Sequence, residues 1–295
     1  MTNVDDARLA RAFWRAMEPI HAVVYFAPDV KTAFEDLGLR GFWRGYFASR
    51  AAPMGPVPAE VVIATFYNFS PDMVRWAMFG IWQRADPAEI TAARLRLADR
   101  TLRAWLGDQI DSPGVAEAAA LARRAAEAAS PLGRPLFAGH TALAWPEDPH
   151  LALWHAVTLL REHRGDGHVN ALVTEQIDGC EANVLTGASG ASTSELQRAS
   201  RQWPDDEWDA AVERLRGRGW IEDDTTLTPA GAVAKQRVED RTDELAAQPL
   251  GALDGRKRQR LLALLTELSR TILDGDNMKF PNPIGLPDPR ESADS

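Results

Sequence analysis

The feature that most constrains the fold is a set of three helical patterns, each begun by a proline. They read "SPDMVRWAMFGIWQRA", "DPAEITAARLRLADRTLRAWLG" and "SPGVAEAAALARRAAEAAS", and their first residues are Ser70, Asp86 and Ser112. Proline suits the first helical position because its φ is already helical and its missing N–H needs no partner there. The serine or aspartate before it accepts a hydrogen bond from the first-turn amides. These patterns predict helices and make the first half of the chain mainly α-helical.

Proline and glycine also mark the other helix ends of the first half. Residues 5–26 predict one amphipathic helix that ends before Pro28, and "DVKTAFEDLG" predicts a short second helix ending at Gly38. A third helix begins in "RGFWRGYFASR" and cannot continue past Pro53. The segment "AEVVIATFYNFS" has the β-branched and aromatic content of a strand, yet it fits a buried helix equally.

The composition is that of a protein with a large core, and it limits the partners. The 295 residues are 45% hydrophobic, which is enough for more than one domain. A single cysteine, Cys180, excludes an intramolecular disulfide and fits a reducing compartment. The first residues are acidic where a signal peptide is basic, and no window reaches the roughly 18 apolar residues of a membrane span. With a formal charge of -9 the chain has no overall attraction for nucleic acid. We predict a soluble, cytoplasmic protein without membrane contact.

A segment without helical period separates the two halves. "PLGRPLFAGHTALAWPEDPH" holds four prolines and two glycines, so we place a domain connection at 131–149. This gives a helical N-terminal domain at 1–130, a winged-helix domain at 150–280 and a proline-rich, disordered tail at 281–295. Its apolar residues predict that the connection is packed: Leu136, Phe137, Leu143 and Trp145.

Three of the six histidines fall in the stretch "WHAVTLLREHRGDGHVNA" that follows this connection. The apolar period predicts a helix from Leu151 to about Arg164. Two glycines, Gly165 and Gly167, then flank Asp166. This pattern predicts a turn in which Asp166 caps the next helix.

The order of elements after this turn is typical of a winged helix. Ser194 is the predicted cap of "ELQRASRQ", and a further helix begins after Pro204 and ends at Gly217 or Gly219. "WIE" and "TLT" predict two short strands around an acidic turn, and Pro229 begins a long final helix. Helix, turn, helix, β-hairpin and long helix is the winged-helix order. The leucines of the final helix predict packing either on the same chain or on a partner in a homodimer.

The segment "AVERLRGRGWIEDDTTLTPAGAVAKQRVEDRTDEL" resembles the recognition helix, wing and dimerisation helix of the MarR-type winged-helix regulators. The whole chain also resembles an actinobacterial helix-turn-helix family of similar length, whose activity is not established. The resemblance implies a MarR-like winged helix in the C-terminal half. Its matching positions are Gly219, Leu227, Thr228, Pro229 and Gly231.

A short internal similarity suggests a fold of two related halves. "HAVVYF" at His21 and "HAVTLL" at His155 each begin a run that leads into a glycine-bearing turn and another helix. We predict a mainly α fold with two helical, winged-helix-like halves. The C-terminal half carries a small β-hairpin wing and a long final helix.

The charge of the predicted recognition helix disfavours DNA as a partner. A recognition helix offers basic and amide side chains to phosphates and base edges, whereas this one begins with four carboxylates in five positions. The wing tip, residues 222–224, is also acidic. Like charges would repel phosphate in place of the counterion release that drives binding. The four carboxylates belong to Asp205, Asp206, Glu207 and Asp209.

A ligand site is predicted in the first half, with one residue from the second. Glu18, His21 and Tyr25 lie on one helical face. The nearby "RGFWRGYFASR" supplies Arg40, Arg44, Tyr46 and Arg50. Together with His155 they would form an aromatic pocket with a few polar groups, which is typical of small-molecule sites. The competing interpretation is a surface ion pair of Glu18 with an arginine.

The histidine stretch offers a catalytic alternative. His163 or His168 would act as general base with Asp166 as its orienting group, provided that the three side chains reach one another. No nucleophile motif accompanies them. Metal binding needs two ligands at i and i+3 or i+4, and the histidines of this stretch lack that spacing, so we predict no metal.

These observations favour a winged-helix protein that binds a small apolar or aromatic molecule between its two halves and does not bind DNA. The first alternative is a MarR-like, ligand-responsive regulator whose basic face is formed by Arg198, Arg201 and Arg216. The second is an enzyme that uses His/Asp or His/Glu/Tyr acid–base chemistry. The sequence names no cofactor.

Overall fold

The chain folds into α-helices with one small β-hairpin, as the sequence predicts. The computed structural model describes residues 4–288. Strands β1 (Ile221–Asp223) and β2 (Thr226–Leu227) pair antiparallel, with Ile221 opposite Leu227. The helices are α1 (Val4–Phe26), α2 (Phe42–Ala51), α3 (Ala59–Phe66), α4 (Pro71–Met78), α5 (Pro87–Leu106), α6 (Pro113–Glu127), α7 (Pro135–Thr141), α8 (Pro149–Thr174), α9 (Gly179–Ala188), α10 (Ser194–Arg201), α11 (Asp205–Gly217), α12 (Pro229–Ala247) and α13 (Gly255–Asp274).

Proline at the first helical position confirms most of the predicted helix starts. Helices α4, α5, α6 and α12 begin at Pro71, Pro87, Pro113 and Pro229. In α5 the Glu89 carboxylate also reaches back to accept the Asp86 N–H at 3.0 Å. The ambiguous segment "AEVVIATF" forms α3 and not a strand. Proline at the first position therefore marks where these helices begin, whereas the predicted side-chain cap at Ser112 is wrong, because that side chain makes no capping hydrogen bond.

The predicted turn at Asp166 is wrong, because α8 runs through it without a break. Gly165 and Gly167 both keep helical backbone angles. Asp166 does not cap its own helix; its carboxylate accepts the backbone N–H of Phe137, in the first turn of α7, at 2.9 Å. A partner distant in sequence satisfies the aspartate, so the local glycine pattern does not end the helix.

The predicted long final helix is in fact two helices. Helix α12 ends at Ala247, a short 3₁₀ segment spans Gln248–Ala252, and α13 begins at Gly255. Pro249 cannot donate to the helical ladder, and the Asp254 carboxylate caps α13 by accepting the Lys257 N–H at 2.9 Å.

Three smaller predictions also need correction. "DVKTAFEDLG" forms turns and a 3₁₀ segment at Glu35–Leu37 instead of a second α-helix, although it does end at Gly38 in the left-handed conformation. The connection at 131–149 contains α7, whose start is set by proline at its first position. The side chain that caps α10 is Thr193, which accepts the Leu196 N–H at 3.2 Å, and not Ser194.

The described residues form two compact units, each built from separate stretches of chain. The first unit contains the described residues up to Val57, then Ala77–Asp166 and Asp243–Met278. The second contains Pro58–Trp76, Gly167–Thr242 and the described residues from Lys279. Where the sequence predicts a disordered tail, residues 281–288 include the buried Asn282 and Leu286, and 289–295 lie outside the described residues.

In the first unit α1 packs against α5 and α13. Phe13 and Ile20 of α1 are buried there with Leu97 of α5. The leucines of α13, which were expected to pack on the same chain or on a partner, are buried within the chain. They are Leu261, Leu264, Leu265 and Leu268. Among the described residues, no helix has both the length and the apolar character needed to cross a membrane.

The core of the second unit forms around α9 and α11 with the hairpin beside them. Trp208 of α11 is completely buried and packs with Val184, Leu215 and Ile221. Tyr67 connects the second unit's first stretch of chain to this core, since its hydroxyl donates to the Ile177 carbonyl at 2.7 Å. The exposed side of α11 is left for charged residues.

Gly179→Ala is expected to destabilise the protein by about 1–3 kcal/mol, the usual cost of overpacking a core. A Cβ at this position would lie 2.0 Å from the backbone oxygen of Tyr67, so the main chain itself would have to move. Denaturant unfolding measures the effect. Gly217→Ala is the matched control, because nothing lies within 4 Å of its added Cβ. Equal stability of the two variants would contradict this packing.

Candidate functional site

The last turns of α1 carry polar side chains into the core of the first unit. Glu18, His21 and Tyr25 are three and seven residues apart and therefore share one helical face. Glu18 and His21 are completely buried, and Tyr25 is half-buried. They meet residues of α2, α5 and α8 in what we call the buried polar cluster. Its members are Glu18, His21, Tyr25, Arg50, Arg94, Thr158, Arg161 and Glu162.

Glu162 of α8 is the centre of the ion pairs in this cluster. Its carboxylate accepts hydrogen bonds from Arg50 Nη2 at 3.0 Å and from Arg161 Nη1 at 2.7 Å. Burial alone would raise the pKa of Glu162, but the two guanidiniums outweigh it and hold that pKa well below its usual range. Arg161 Nε also lies 3.4 Å from Glu18, which accepts a further hydrogen bond from Trp14. Both carboxylates are therefore paired with guanidiniums.

A second chain of hydrogen bonds runs from the half-buried Tyr25 into the core. The Tyr25 hydroxyl lies 3.2 Å from His21 Nε2, and His21 Nδ1 lies 3.0 Å from Thr158 Oγ1. Burial, followed by the nearby Arg161 charge, lowers the pKa of His21 well below its usual value. His21 is therefore neutral and holds the Tyr25 hydroxyl in place by one ring nitrogen.

Arg94 of α5 completes the cluster and is a residue that the sequence analysis missed. Nη2 donates to the Tyr25 hydroxyl at 3.1 Å and Nη1 donates to the Ser49 carbonyl at 3.2 Å, while Nε has no partner among residues 4–288. The guanidinium lies 5.6 Å from the Tyr25 ring centroid and 5.5 Å from that of Trp154. The signal was present in the sequence, because Arg94 occupies a position on the apolar face of α5 with Ile90.

Four half-buried aromatic rings lie over the cluster and form what we call the aromatic surface. The Tyr46 ring is 5.3 Å from the Tyr25 ring and 5.7 Å from those of Phe42 and Trp43. Tyr46 also accepts a hydrogen bond from Arg50 Nη1 at 2.9 Å, which connects the aromatic surface to the ion pairs below. Its members are Tyr25, Phe42, Trp43 and Tyr46.

Two residues of the predicted ligand set have other surroundings. Arg44 donates to the Phe79 carbonyl at 3.2 Å. The His155 ring packs edge-on against Trp145 with centroids 4.7 Å apart, and its Nε2 has no partner in the described part of the chain. Burial, with a smaller contribution from Arg123, lowers the pKa of His155 to about 4. Of the predicted residues, Glu18, His21, Tyr25, Tyr46 and Arg50 are the ones that come together.

The three predicted catalytic residues all lie on the continuous helix α8. The His163 ring packs edge-on against Phe137 at 5.1 Å, and Asp166 accepts the N–H of the same residue. His168, in the second unit, lies 3.0 Å from Thr242 Oγ1 through Nδ1. On an ideal helix His163 and His168 point about 140° apart. Their catalytic role stays a prediction.

Burial shifts the pKa values of His163 and Asp166, which both lie in the first unit, in opposite directions. Burial and then Arg134 lower the pKa of His163 to about 3. Burial raises the pKa of Asp166 to about 7, against the opposing hydrogen bond from Phe137. At neutral pH the imidazole is therefore neutral, and the carboxyl is close to half-protonated. Among residues 4–288 no three His, Cys, Asp or Glu side chains are arranged to hold a metal ion.

The first turn of α11 in the second unit is acidic and exposed. Arg198, the nearest arginine on α10, is committed to these carboxylates, with Asp205 at 2.9 Å, Asp209 at 3.4 Å and Asp224 of the hairpin at 3.9 Å. The exposed residues of this turn are Asp205, Asp206, Glu207 and Asp209.

The other arginines proposed for a basic face are also engaged. Arg201 is buried, and its Nη2 donates to the Pro283 carbonyl at 2.5 Å. Arg216 pairs with Glu213 at 2.7 Å. Arg214, on the same helix, pairs with Asp178 at 2.5 Å and Glu181 at 2.8 Å. Each of these cations therefore faces protein oxygens.

The second unit defines the class of protein, since α10 and α11 are consecutive helices joined by a short turn and followed by a small hairpin wing. The chain belongs to a helix-turn-helix family, which it matches over residues 10–279. No curated protein and no solved structure matches it. The match takes in stretches of both units, so the buried polar cluster lies within the region that the family covers.

Proposed function

We propose that this protein binds a small, flat organic molecule on the aromatic surface of its first unit and that α11 does not bind DNA. The observation that carries this proposal is the aromatic surface itself, which is joined through Tyr25 and Tyr46 to a connected network of buried charges. Small-molecule sites combine aromatic walls with a few fixed polar groups that orient the ligand. Tyr25 and Tyr46 belong to the surface and also bond to the charges below it.

The energetics of the cluster support a role beyond stability. Arg50, Glu18 and Glu162 are almost fully buried, and Arg161 is mostly so. Desolvating such groups costs about as much as their attraction returns, so an apolar core of the same volume would be at least as stable. A fixed charge network does, however, hold polar groups in place beneath a ligand, as binding sites require.

The charge around α11 supports the second part of the proposal. Binding to DNA releases counterions from phosphates when free lysine or arginine side chains replace them. The exposed first turn of α11 presents carboxylates, and Arg198, Arg201 and Arg216 are each bonded to oxygens of this chain. A duplex approaching this face would meet negative charge.

Membership of a helix-turn-helix family favours a second candidate function, that of a ligand-responsive regulator that binds DNA. Helix-turn-helix units commonly read the major groove through the second helix, and the match over residues 10–279 places this chain in such a family. The MarR-like features and a homodimer belong to this candidate. An enzyme that uses His163 and Asp166 remains a proposal without a substrate.

Trp43→Ala is expected to weaken the binding of aromatic ligands at least about 10-fold, because aromatic rings at the centre of a site carry much of its affinity. A panel of aromatic compounds is first tested by thermal shift, and those that stabilise the protein are titrated calorimetrically. Trp76→Ala is the matched control, since Trp76 is 55% exposed and lies in α4. Ligands that bind Trp43→Ala and the parent protein equally would contradict the proposed site.

The parent protein is expected to give no mobility shift with its own upstream DNA at about 50 mM salt, where electrostatic binding is strongest. Asp206→Arg combined with Asp209→Arg should instead produce weak, salt-dependent binding to any duplex, which shows that the assay detects this face. A sequence-specific shift of the parent protein would overturn the second part of the proposal and favour the regulator.

A further inference from the structure

We infer that the edge of Arg94 beside Tyr25 is the anchor for a carboxylate, so that the ligand is a monocarboxylate with a flat aromatic body. This inference rests on the proposed function, because it assigns a ligand class to the same site. Two independent observations lead to it: the balance of charges in the buried polar cluster, and an N–H of Arg94 that has no partner among residues 4–288.

The cluster holds one more positive charge than negative charge. It contains three guanidiniums and two carboxylates, which leaves one positive charge over. Both carboxylates are taken by Arg50 and Arg161, whereas the hydrogen-bond acceptors of Arg94 are neutral, namely the Ser49 carbonyl and the Tyr25 hydroxyl. Buried charges are normally paired, because an isolated ion is costly to desolvate.

The orientation of Arg94 shows where the missing anion would bind. Nε and Nη2 point along the same edge of a guanidinium, and this edge matches the two oxygens of a carboxylate. In Arg94 the Nη2 already donates to Tyr25, while Nε is buried without a partner in the described part of the chain. A carboxylate on this edge would therefore lie beside the Tyr25 hydroxyl. It would accept hydrogen bonds from Arg94 Nε and from that hydroxyl.

The surroundings of this edge determine the rest of the ligand. Tyr25 and Trp154 flank the guanidinium, and the half-buried rings of Tyr46, Phe42 and Trp43 continue outward from Tyr25. A flat apolar body would stack on these rings while its acid group reaches Arg94. A single excess positive charge favours a singly charged acid over a dicarboxylate or a phosphate ester.

The test uses the 295-residue chain, with phenylacetate and 3-phenylpropanoate as probes and their primary amides as neutral counterparts. Calorimetric titration should show each acid binding roughly 10- to 100-fold more tightly than its amide, as charge-assisted hydrogen bonds to a buried arginine predict. Arg94→Met should remove this preference. Arg96→Met is the matched control, because Arg96 is exposed on the same helix and should leave both affinities unchanged.

Two further measurements show whether Arg94→Met loses only the contact with the carboxylate or is unfolded. Arg94→Met removes a buried charge that has no carboxylate partner, so without ligand its melting temperature should equal or exceed that of the parent protein. Tyr25→Phe keeps the ring and should weaken only the acids. Equal binding of acid and amide, or of parent and Arg94→Met, would overturn the inference.

The result also distinguishes this inference from the proposed function. If the amides bind as well as the acids and Trp43→Ala abolishes the binding of both, the proposed ligand site is supported. The carboxylate anchor at Arg94 is then overturned. Failure of all four probes at millimolar concentration would overturn the anchor. If the wider aromatic panel also failed, the proposed function would fail as well.

Discussion

Glu162→Gln is expected to lower the free energy of unfolding by about 3–5 kcal/mol, the cost of leaving buried charges without their partner. Arg50 and Arg161 would keep their charges, because a guanidinium is not deprotonated in proteins. Burial disfavours both charges, and the variant would lack the Glu162 carboxylate that is the main influence offsetting it. The side chains of Arg50 and Glu162 are only 8% and 1% exposed, so water cannot replace the lost carboxylate. Chemical denaturation of the parent and the variant measures the difference.

Two comparisons make this expectation specific. Glu127→Gln removes the partner of Arg123 at the surface, where both side chains are about half exposed, and should cost no more than about 1 kcal/mol. The double variant Arg50→Met with Glu162→Met should lose less stability than its two single changes combined, since the partners are removed together. A loss in Glu162→Gln no larger than the surface control would show that the cluster is hydrated.

The protein is expected to lose stability steeply between about pH 6.5 and pH 4. Burial lowers the pKa of His140 and of His155 to about 4 and that of His163 to about 3, against an ordinary value of 6.5. Below pH 6.5 the unfolded chain therefore binds protons that the folded chain cannot accept. The stabilising effect is complete above pH 6.5 and is lost as the pH falls toward the folded values. A pKa difference of one between the folded and the unfolded chain corresponds to about 1.4 kcal/mol.

Asp166 acts in the opposite direction over part of this range. Its pKa is raised to about 7 in the folded protein, from an ordinary 3.8, so it favours folding at low pH and this contribution is lost as the pH rises through 7. His21, whose pKa burial also lowers, acts with these three histidines, and together they outweigh one carboxyl. The free energy of unfolding therefore still falls as the pH falls. Unfolding free energies at pH 7.5, 6 and 5 test this, and His163→Gln should reduce the slope by about one proton. A pH-independent stability would contradict neutral, buried histidines.

Local chemistry is the part of this fold that could be predicted from the sequence. Pro87, Pro113 and Pro229 begin helices because the cap and the first turn involve only neighbouring residues. The turn at Asp166 was predicted wrongly for the complementary reason. Its true partner, Phe137, is 29 positions away, and no local pattern shows that contact.

The α1 side of the candidate site and Tyr46 of α2 were predictable from the sequence, but the contacts between helices were not. Glu18, His21 and Tyr25 stand out because three polar residues share a face of an otherwise apolar helix. Their partners come from far along the chain: Arg50 meets Glu162 across 112 positions and Arg94 meets Tyr25 across 69. Spacing within one helix cannot show which distant side chains meet it, and Arg94 could be noticed only as a charge on an apolar face.

The interleaving of the two units means that no single cut of the chain releases either of them. A fragment that began at Gly167 would lack Tyr67, whose hydroxyl bonds to Ile177, and Asn68, whose carbonyl accepts from Asn183 and Trp203. Such a fragment would expose core surface and aggregate. The helix-turn-helix part lies in the second unit and the charged, aromatic part in the first, so any contiguous piece of chain that holds one unit whole also holds most of the other.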